Sequence, residues 1–457
     1  MSLRSDQDAR TPPKARFLTG STMRHVVVMS IAGSLGLSFL FLIDFLAMFW
    51  VSQYNNEVWV SAIGFAFAIQ FFPASMNVGM MIATIAIYAR ALGAGEIDRA
   101  RRIATVGILS GVGAQVAFST LLWFTRYDLL AISGANGEAR ELAADFLSVS
   151  LFGMPLMVAG MTMSAVVRAT GDAVRSTMVT GTAALVALVV DPFNILYLGL
   201  GVQGAAISVI ITRGVMTVLG FYFLVIHHGM AARPRWEDFR LIFRLWVVIA
   251  IPAIFTQCST PFGNWVLMRA MADFGDSATA ALGVVLRLTV LVFGGIFALS
   301  GAIGGILGQN YGGGQLDRVA QAYKDALIYC IGYTLVAWIA LASMSGPLAR
   351  GFGLSPEGAE VMHFFTFYMA PALAFTGALY VANAAFNNLG RPISATIANW
   401  IRDGLLTWPL AFGLGAAYGA NGVLMGQAGA AILAGTIGAW IGWRYVKGLR
   451  DRPKTGA

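Results

Sequence analysis

Hydrophobic residues occur in twelve long runs along the chain, and Gly, Pro or charged residues separate one run from the next. An α-helix needs about 20 apolar residues to cross a hydrocarbon core of about 30 Å. Each run reaches that length, so we predict twelve transmembrane helices. The predicted helices span 26–51, 59–89, 103–125, 142–166, 176–198, 202–226, 242–271, 277–308, 321–345, 360–386, 394–416 and 423–443.

The composition excludes an ordinary soluble protein, since 58% of the 457 residues are hydrophobic and 11% are charged. Twelve helices leave connections too short for a folded soluble domain. No Ser/His, Cys/His or clustered carboxylate arrangement provides a nucleophile, so we expect no enzyme and no cofactor. Cys258 and Cys330 lie in apolar stretches, and the four histidines lack the spacing of ligands. We therefore expect neither a disulfide nor a metal site.

The distribution of Lys and Arg predicts the orientation of the helices. An even number of spans puts both termini and every second loop on one side of the membrane. Counting the span ends with their loops, that side carries 23 Lys and Arg, the other side carries four, and three lie deep within the spans. Cytoplasmic loops are enriched in these residues, so we expect both termini in the cytosol of a multi-pass plasma-membrane protein. The net charge of +8 then reflects contact with lipid headgroups, and we expect no nucleic-acid binding.

The chain contains an internal repeat with an offset of 219 residues. Ala62-Ile63-Gly64 matches Ala281-Leu282-Gly283, and the seven residues from Gly93 match the seven from Gly312. Each copy holds six helices, and an even number gives both copies the same orientation. We therefore predict an all-α polytopic membrane protein in which two six-helix bundles surround a central cleft. The predicted parts are a tail at 1–24, an N-lobe at 25–230, a C-lobe at 231–445 and a tail at 446–457.

Six charged residues lie more than five residues from either end of a predicted span, and each costs about 2.5–3.5 kcal/mol at a helix centre on insertion scales. Such residues need a structural or a functional reason. An ion pair that holds helices together remains a possible reason for all of them, above all for Asp403 and the arginines. They are Asp44, Asp191, Asp403, Arg213, Arg287 and Arg402.

Asp44 and Asp191 are predicted to lie at one level within the N-lobe. Both of their helices run outward, and the two acids lie about 10 and 12 Å below the outer edge. If both face inward, burial and mutual repulsion favour proton uptake by at least one of them. Pro192 follows Asp191 and leaves the carbonyl of Leu188 without its helical donor, which indicates irregular backbone beside a cavity. We therefore assign proton coupling to Asp44 and Asp191.

The remaining charges are assigned to the substrate pathway. Arg287 and Asp403 are both expected near the midplane of the C-lobe, where they could pair. Arg402 lies about 100° from Asp403 around a regular helix, so at most one of them points straight at Arg287. Arg213 either partly neutralises the acid pair or holds helices together. The complete predicted pathway consists of Arg287, Asp403, Arg213, Asn194 and Gln257.

With these motifs in place, the chain resembles the multidrug and toxic compound extrusion (MATE) family over about residues 25–445, and its acid pair is similar to that of DinF-like members. The order of the motifs across both repeats carries the likeness. The motifs are Ile43-Asp44, Gly93-Ala94-Gly95, Arg168-Ala169-Thr170-Gly171-Asp172, Gly201-Val202-Gln203-Gly204-Ala205-Ala206 with Arg213, Arg287, Gly308-Gln309-Asn310-Tyr311-Gly312 and Asn388-Leu389-Gly390-Arg391-Pro392.

The resemblance implies two six-helix bundles that face a V-shaped cleft, and export of cationic compounds driven by inward protons or sodium. In sodium-binding relatives an Asn one turn before the helix 5 acid and a Thr in helix 6 join the cation site. The matching positions here are Ala187 and Val209. A hard cation takes about six oxygen ligands, so the site suits a proton better. Some relatives also bend helix 1 at a proline, which this chain lacks.

We therefore expect a monomeric, proton-coupled secondary exporter of lipophilic cations in the bacterial inner membrane. Protons and small cationic substrates would compete for the same acids. A flippase for a lipid-linked saccharide of the same superfamily remains an alternative, and so does coupling to sodium. The flippase is disfavoured because the intramembrane charges cancel, with three of each sign, whereas binding an anionic head group requires an excess of positive charge at the cleft. A non-transporting receptor or scaffold would be expected to bring a soluble domain.

Overall fold

The computed structural model describes residues 15–54 and 56–451, and these residues form helices without any strand. Short polar side chains begin several of the helices. Asn56 accepts hydrogen bonds from the backbone N–H groups of Val58 and Trp59, and Asp172 accepts one from Arg175. Such caps satisfy the N–H groups that lack a partner in the first turn of a helix. The polar breaks between the hydrophobic runs therefore act as helix starts.

Within residues 15–54 and 56–451, eleven helical stretches are long and apolar enough to cross a membrane if each of two bent pairs counts as one. The first ten are α1 (Thr22–Ser52), α2 (Glu57–Gly93), α3 (Ile97–Ile132), α4 (Gly137–Ser150 with Gly153–Ala169), α5 (Ala173–Tyr197), α6 (Gly201–His227), α7 (Trp236–Ala272), α8 (Asp276–Val292 with Gly294–Gly312), α9 (Leu316–Ser343) and α10 (Pro356–Leu389). The last stretch, Pro392–Gly448, has 57 residues and contains non-helical backbone at Gly419. It divides there into α11 (392–418) and α12 (420–448).

The chain reverses direction at Gly419. A Cβ at Gly422 would clash with the carbonyl oxygen of Leu414, and one at Gly426 would clash with the backbone of Ala411. Residues on the two sides of the break are therefore packed against each other as a helical hairpin. A φ of +67° at position 419 favours glycine, which explains this residue at the turn. The described part of the chain thus forms twelve crossings, and the predicted fold class is confirmed.

The helices differ from the predicted spans mainly at their ends. α3 continues to Ile132 instead of ending near residue 125, because Arg126 stays helical and covers the rings of Trp123 and Tyr127. A charged residue interrupts the hydrophobic run in the sequence, but the helix continues through it. A short helix, Ser345–Gly351, also lies between α9 and α10, where none was predicted.

The connections lie at two opposite ends of the bundle. The terminal face is the end that carries the described chain termini together with the connections at 94–96, 170–172, 228–235, 313–315 and 390–391. The distal face carries the other connections, including those at 133–136, 198–200, 273–275 and 344–355. Gly95 and Gly314 form equivalent turns at the terminal face, with φ of +80° and +70°. The two copies of the repeat thus share this local structure.

The lobes meet at the terminal face and separate toward the distal face. The Arg90 guanidinium of α2 donates through Nε to the carbonyl of Asn388 at 2.6 Å. Farther from the terminal face, Gly33 of α1 lies against Ala298 of α8, and Gly79 of α2 lies against Ile254 of α7. These contacts close one end of the central cleft, so the cleft opens at the distal face.

The first helix of each lobe also packs on the other lobe. Val26 and Met29 of α1 belong to the C-lobe core, whereas Trp246 and Ile249 of α7 belong to the N-lobe core. The exchange is symmetric, as expected for two copies of one repeat. α1, α2, α7 and α8 consequently form the walls of the cleft.

Candidate functional site

Close packing between α1 and α5 brings the two N-lobe acids together. Gly36 of α1 lies against Thr180, and Gly181 of α5 lies against the ring of Phe39. Small residues let transmembrane helices approach closely. Both helices run from the terminal to the distal face. Eight residues beyond the contact of Gly36 with Thr180, Asp44 of α1 therefore lies at the level of residue 188 of α5. Asp191 lies about one turn closer to the distal face.

Asp191 is almost fully buried at 2% exposure, and its Oδ2 lacks a hydrogen-bond partner among the described residues. The Ser208 hydroxyl of α6 lies within hydrogen-bonding reach of this carboxylate. Ser208 accepts a 3.0 Å hydrogen bond from the amide of Asn194. Asn194 lies in the π-helical segment Phe193–Tyr197, directly after Pro192. The backbone irregularity predicted at this proline is thus present, and it turns Asn194 toward Ser208.

Asp44 differs from Asp191 because it is exposed. It lies three turns along α1 from Gly33, which faces the C-lobe, and one turn before Ala47, which belongs to an N-lobe core cluster. This position is at the border between the N-lobe interior and the cleft. Its charge interacts with those of Asp191 and Arg213. The structure therefore brings the predicted acid pair into one electrostatic cluster.

Arg213 is held by uncharged groups. It donates to the carbonyl of Ser150 at 3.2 Å and to Oε1 of Gln70 at 3.0 Å. Gln70 in turn donates to the Ser150 hydroxyl. Ser150 is the last residue before the 50° bend of α4, where the helix leaves carbonyls without their usual donors. Arg213 thus stabilises the bend, while its charge stays close to Asp44.

Asp403 forms an ion pair with its sequence neighbour Arg402 and not with Arg287, the partner that the sequence allowed. Nε and Nη2 of Arg402 donate to the two carboxylate oxygens at 2.7 and 2.8 Å, and Ser259 donates to Oδ2 at 2.9 Å. The pair lies in the π-helical segment Ile401–Leu406, and the guanidinium also covers the ring of Tyr380. Both residues are buried, so this acid is removed from the cleft.

Arg287 and Gln257 lie on helices of the C-lobe, apart from the N-lobe acids. On α8, Gly294 and Ala298 contact α1, whereas Arg287 lies in the preceding segment Asp276–Val292, which is bent by 44° from that part of the helix. On α7, Gln257 lies seven residues after Ala250, a member of the N-lobe core. Arg287 is exposed, and within the described ranges it has neither an ion pair nor a hydrogen bond.

Of the predicted site residues, the structure brings Asp44, Asp191, Arg213 and Asn194 together in the N-lobe. It leaves Arg287 and Gln257 on the C-lobe helices α8 and α7 and places Asp403 inside the C-lobe. The prediction missed Ser208, Gln70 and Ser150. Gln70 could have been found as an amide within a long apolar run, whereas its partner Ser150 gives no such signal. Among residues 15–54 and 56–451, no three His, Cys, Asp or Glu form a group that could hold a metal ion.

Comparison with known proteins identifies the family. The sequence model of the MatE family matches residues 31–193 and 252–412, once in each repeat. A FAD transporter of Shewanella oneidensis is 28% identical over 394 residues, which cover 85% of this chain and 87% of that protein. The probable multidrug resistance protein YpnP of Bacillus subtilis is 23% identical over 94% of this chain and 96% of its own length.

Solved structures agree in fold. The crystal structure of a mutant of the Vibrio cholerae MATE transporter VcmN superposes with a TM-score of 0.88 at 21% identity, and the match covers 94% of this chain and 98% of that one. The two family matches cover more than half of the chain and repeat at the spacing of the internal duplication. The chain therefore belongs to the MATE family of multi-pass membrane transporters and is not an enzyme.

Proposed function

We propose that this transporter exports small amphipathic molecules carrying a positive charge in exchange for protons, and that Asp44 and Asp191 bind the coupling protons. The observation that carries the proposal is the position of Asp44, which is exposed at the cleft and electrostatically coupled to the buried Asp191. One acid is open to substrate, and the other is shielded from it. A proton taken up at either acid changes the charge that a substrate meets.

Exchange follows from competition for the same negative charge. With both acids ionised, the cluster carries two negative charges against the single positive charge of Arg213, so a cation in the cleft is stabilised. Protonation removes this attraction and releases the cation. Because each ligand weakens the binding of the other, proton entry can drive substrate exit.

The oxygen atoms around the acid pair favour a proton over sodium. Asp191 has the Ser208 hydroxyl close by, but the amide of Asn194 points its nitrogen toward Ser208. Ala187 and Val209, both buried, contribute no side-chain oxygen. A hard cation takes about six oxygen ligands. Coupling to sodium remains the second candidate and is tested directly below.

We also propose the orientation and organisation of the protein. The terminal face carries most of the Lys and Arg, which supports a cytosolic location of that face in a bacterial inner membrane. The cleft then opens to the outside. The functional unit is a monomer in which an N-lobe at 25–230 and a C-lobe at 231–445 move against each other.

A flippase for lipid-linked saccharides is disfavoured by the acid exposed at the cleft, since an anionic head group would be repelled by Asp44. The multidrug proteins among the relatives support a drug exporter. The FAD transporter among them, by contrast, suggests that substrates with acidic groups also deserve a test.

Purified protein in liposomes tests the proposal. A pH gradient and a sodium gradient are imposed in turn, and the movement of ethidium is followed by fluorescence. We expect transport with the pH gradient alone and none with the sodium gradient alone. Transport with sodium alone would overturn the proton assignment, and no transport under either gradient would favour the flippase.

A further inference from the structure

The first turns of α7 present two arginines to the outside of the bundle. Arg240 and Arg244 are exposed, and within residues 15–54 and 56–451 neither forms an ion pair, a hydrogen bond or a ring contact. The two residues are one turn apart, so they point within about 40° of each other around the helix. Glu237, three residues before Arg240, is exposed as well and forms no ion pair within these ranges. The two guanidiniums are therefore placed to bind one anionic group together.

Both arginines lie near the boundary of the membrane. α7 follows the connection at 228–235, which belongs to the terminal face, and Arg240 and Arg244 lie about 6 and 12 Å along the helix from Trp236. Three exposed apolar side chains of the same turns continue toward the hydrocarbon: Leu241, Leu245 and Val248, at 60%, 42% and 61% exposure. In a multi-pass membrane protein such side chains contact acyl chains. The arginines thus lie at the level of the lipid headgroups, where a soluble partner would meet the acyl chains.

A row of stacked aromatic rings lies beside the two arginines. The ring of Phe239 stacks on that of Trp236 with 5.7 Å between centroids, and on that of Phe243 with 5.9 Å. The interplanar angles are 4° and 8°. Trp and Tyr are enriched where a bilayer meets water, because one part of the side chain is apolar and the other part is polar. The row therefore provides an apolar wall next to the guanidiniums.

The two copies of the repeat treat the first aromatic residue of this row differently. Arg16-Phe17 and Arg235-Trp236 stand 219 residues apart. Phe17 is 1% exposed and packed into the contact at the terminal face, where its N–H donates to Gln309. Trp236, by contrast, is 78% exposed. The described part of the chain thus covers the aromatic residue in the first copy and leaves it open in the second.

We propose that Arg240 and Arg244 bind the phosphate of an anionic phospholipid in the leaflet at the terminal face, with Trp236 and Phe243 against its glycerol and acyl chains. Phosphate oxygens match the planar donors of a guanidinium, and the resulting hydrogen bonds are charge-assisted. The negative charge of the headgroup adds attraction to each arginine near the surface. The site is independent of the proposed proton exchange. It holds a lipid at the first helix of the C-lobe, directly after the connection between the lobes.

Titration of the delipidated, purified transporter with two lipids of equal acyl chains tests the site. Native mass spectrometry measures the binding of dioleoyl phosphatidylglycerol, which is anionic, and of dioleoyl phosphatidylcholine, which is zwitterionic. The variants are Arg240→Gln, Arg244→Gln and the two replacements together. Arg444→Gln is the control, because this exposed arginine of α12 already contacts the ring of Trp440. Inorganic phosphate, followed by thermal unfolding, distinguishes a lipid site from a site for a free anion.

We expect the double variant to weaken the binding of the first phosphatidylglycerol about tenfold or more and to leave that of phosphatidylcholine nearly unchanged. Each single variant should weaken it about fivefold, which keeps the test open if the double variant does not fold. Unchanged binding of phosphatidylglycerol in all three variants, or an equal loss in Arg444→Gln, would overturn the site. A thermal stabilisation by inorganic phosphate that is lost in these variants would assign the arginines to a free anion and contradict the lipid.

Discussion

Gly93 and Gly312 stand 219 residues apart and occupy equivalent positions at the contact between the lobes. A Cβ on Gly93 would clash with the carbonyl oxygen of Gln309, and one on Gly312 would clash with that of Arg90. Arg90 and Gln309 are themselves related by the same offset. The two copies of the repeat therefore meet around a twofold axis, and hydrogen atoms in place of side chains let their backbones touch.

Replacing either glycine by alanine should separate the lobes at the terminal face. We expect Gly93→Ala and Gly312→Ala each to lower the stability by about 1–3 kcal/mol, because backbone has to move to admit the methyl group. Thermal unfolding of the purified protein measures the effect. Gly113→Ala is the control, since nothing lies within 4 Å of a Cβ there, and it should be neutral or slightly stabilising. Equal behaviour of all three variants would contradict the contact.

The pair of Arg402 and Asp403 should be essential for the stability of the C-lobe. Asp403→Asn leaves a buried guanidinium without its counter-charge, and we expect a loss of about 3–5 kcal/mol. The double replacement Arg402→Met with Asp403→Leu removes both charges and should cost clearly less. Thermal unfolding compares the two variants. A double variant as unstable as Asp403→Asn would indicate that packing, and not charge, dominates at this site.

The segment before α1 ties the lobes together at the terminal face. Phe17 is buried at 1% exposure; its N–H donates to Gln309, and its carbonyl accepts from Asn310 and Arg318. Arg318→Gln removes a charged donor, so the segment should detach more often. We expect roughly tenfold faster trypsin cleavage after Arg16, which mass spectrometry detects. Arg450→Gln, at an exposed ion pair of the same face, should leave the rate unchanged. Equal cleavage rates in both variants would show that Arg318 does not hold the segment.

The connection between α4 and α5 should respond to acid through His228. This ring lies 3.2 Å from the carboxylate of Asp172, with Arg175 and the titratable ring of His227 as further neighbours. Burial lowers the pKa of His228 below its usual range, although Asp172 opposes the shift. Burial alone would raise the pKa of Asp172, but the hydrogen bonds and charge of Arg175 hold it below its usual range. Asp172 therefore stays ionised near neutral pH.

A lowered histidine pKa makes the unfolded chain bind a proton before the folded one does. The neutral His228 ring therefore contributes its full stabilisation when the pH is above the ordinary histidine pKa. This stabilisation is lost as the pH falls from that value toward the lower pKa of the folded state. In His228→Gln, the melting temperature should fall less between pH 7 and pH 5 than in the unmodified protein. His227→Gln is the control: this ring is exposed, so the variant should show most of the original fall in melting temperature. A steeper decline in His228→Gln would reverse the assigned sign.

The sequence predicts the architecture of this protein better than its polar contacts. Length and polarity identify the twelve spans, and the cost of a carboxylate in lipid singles out Asp44, Asp191 and Asp403. The partners of Arg213 are not predictable, because Gln70 and Ser150 come from distant helices that only packing brings together. The pair of Arg402 and Asp403 escapes prediction because neighbours on a helix point about 100° apart, and the side-chain conformations that close the pair are set by contacts with Ser259 and Tyr380 from other helices. Ser208 was missed by one position, since Val209 occupies the expected place.

Proton release on substrate binding tests the competition at Asp44 and Asp191 most directly. Ethidium is added to the purified transporter in weakly buffered detergent solution at a series of pH values, and the protons released per bound ethidium are measured. The unmodified protein should release protons over part of this range, and Asp44→Asn with Asp191→Asn should release none. Equal release from both proteins at every pH would contradict the competition between proton and substrate for these two acids.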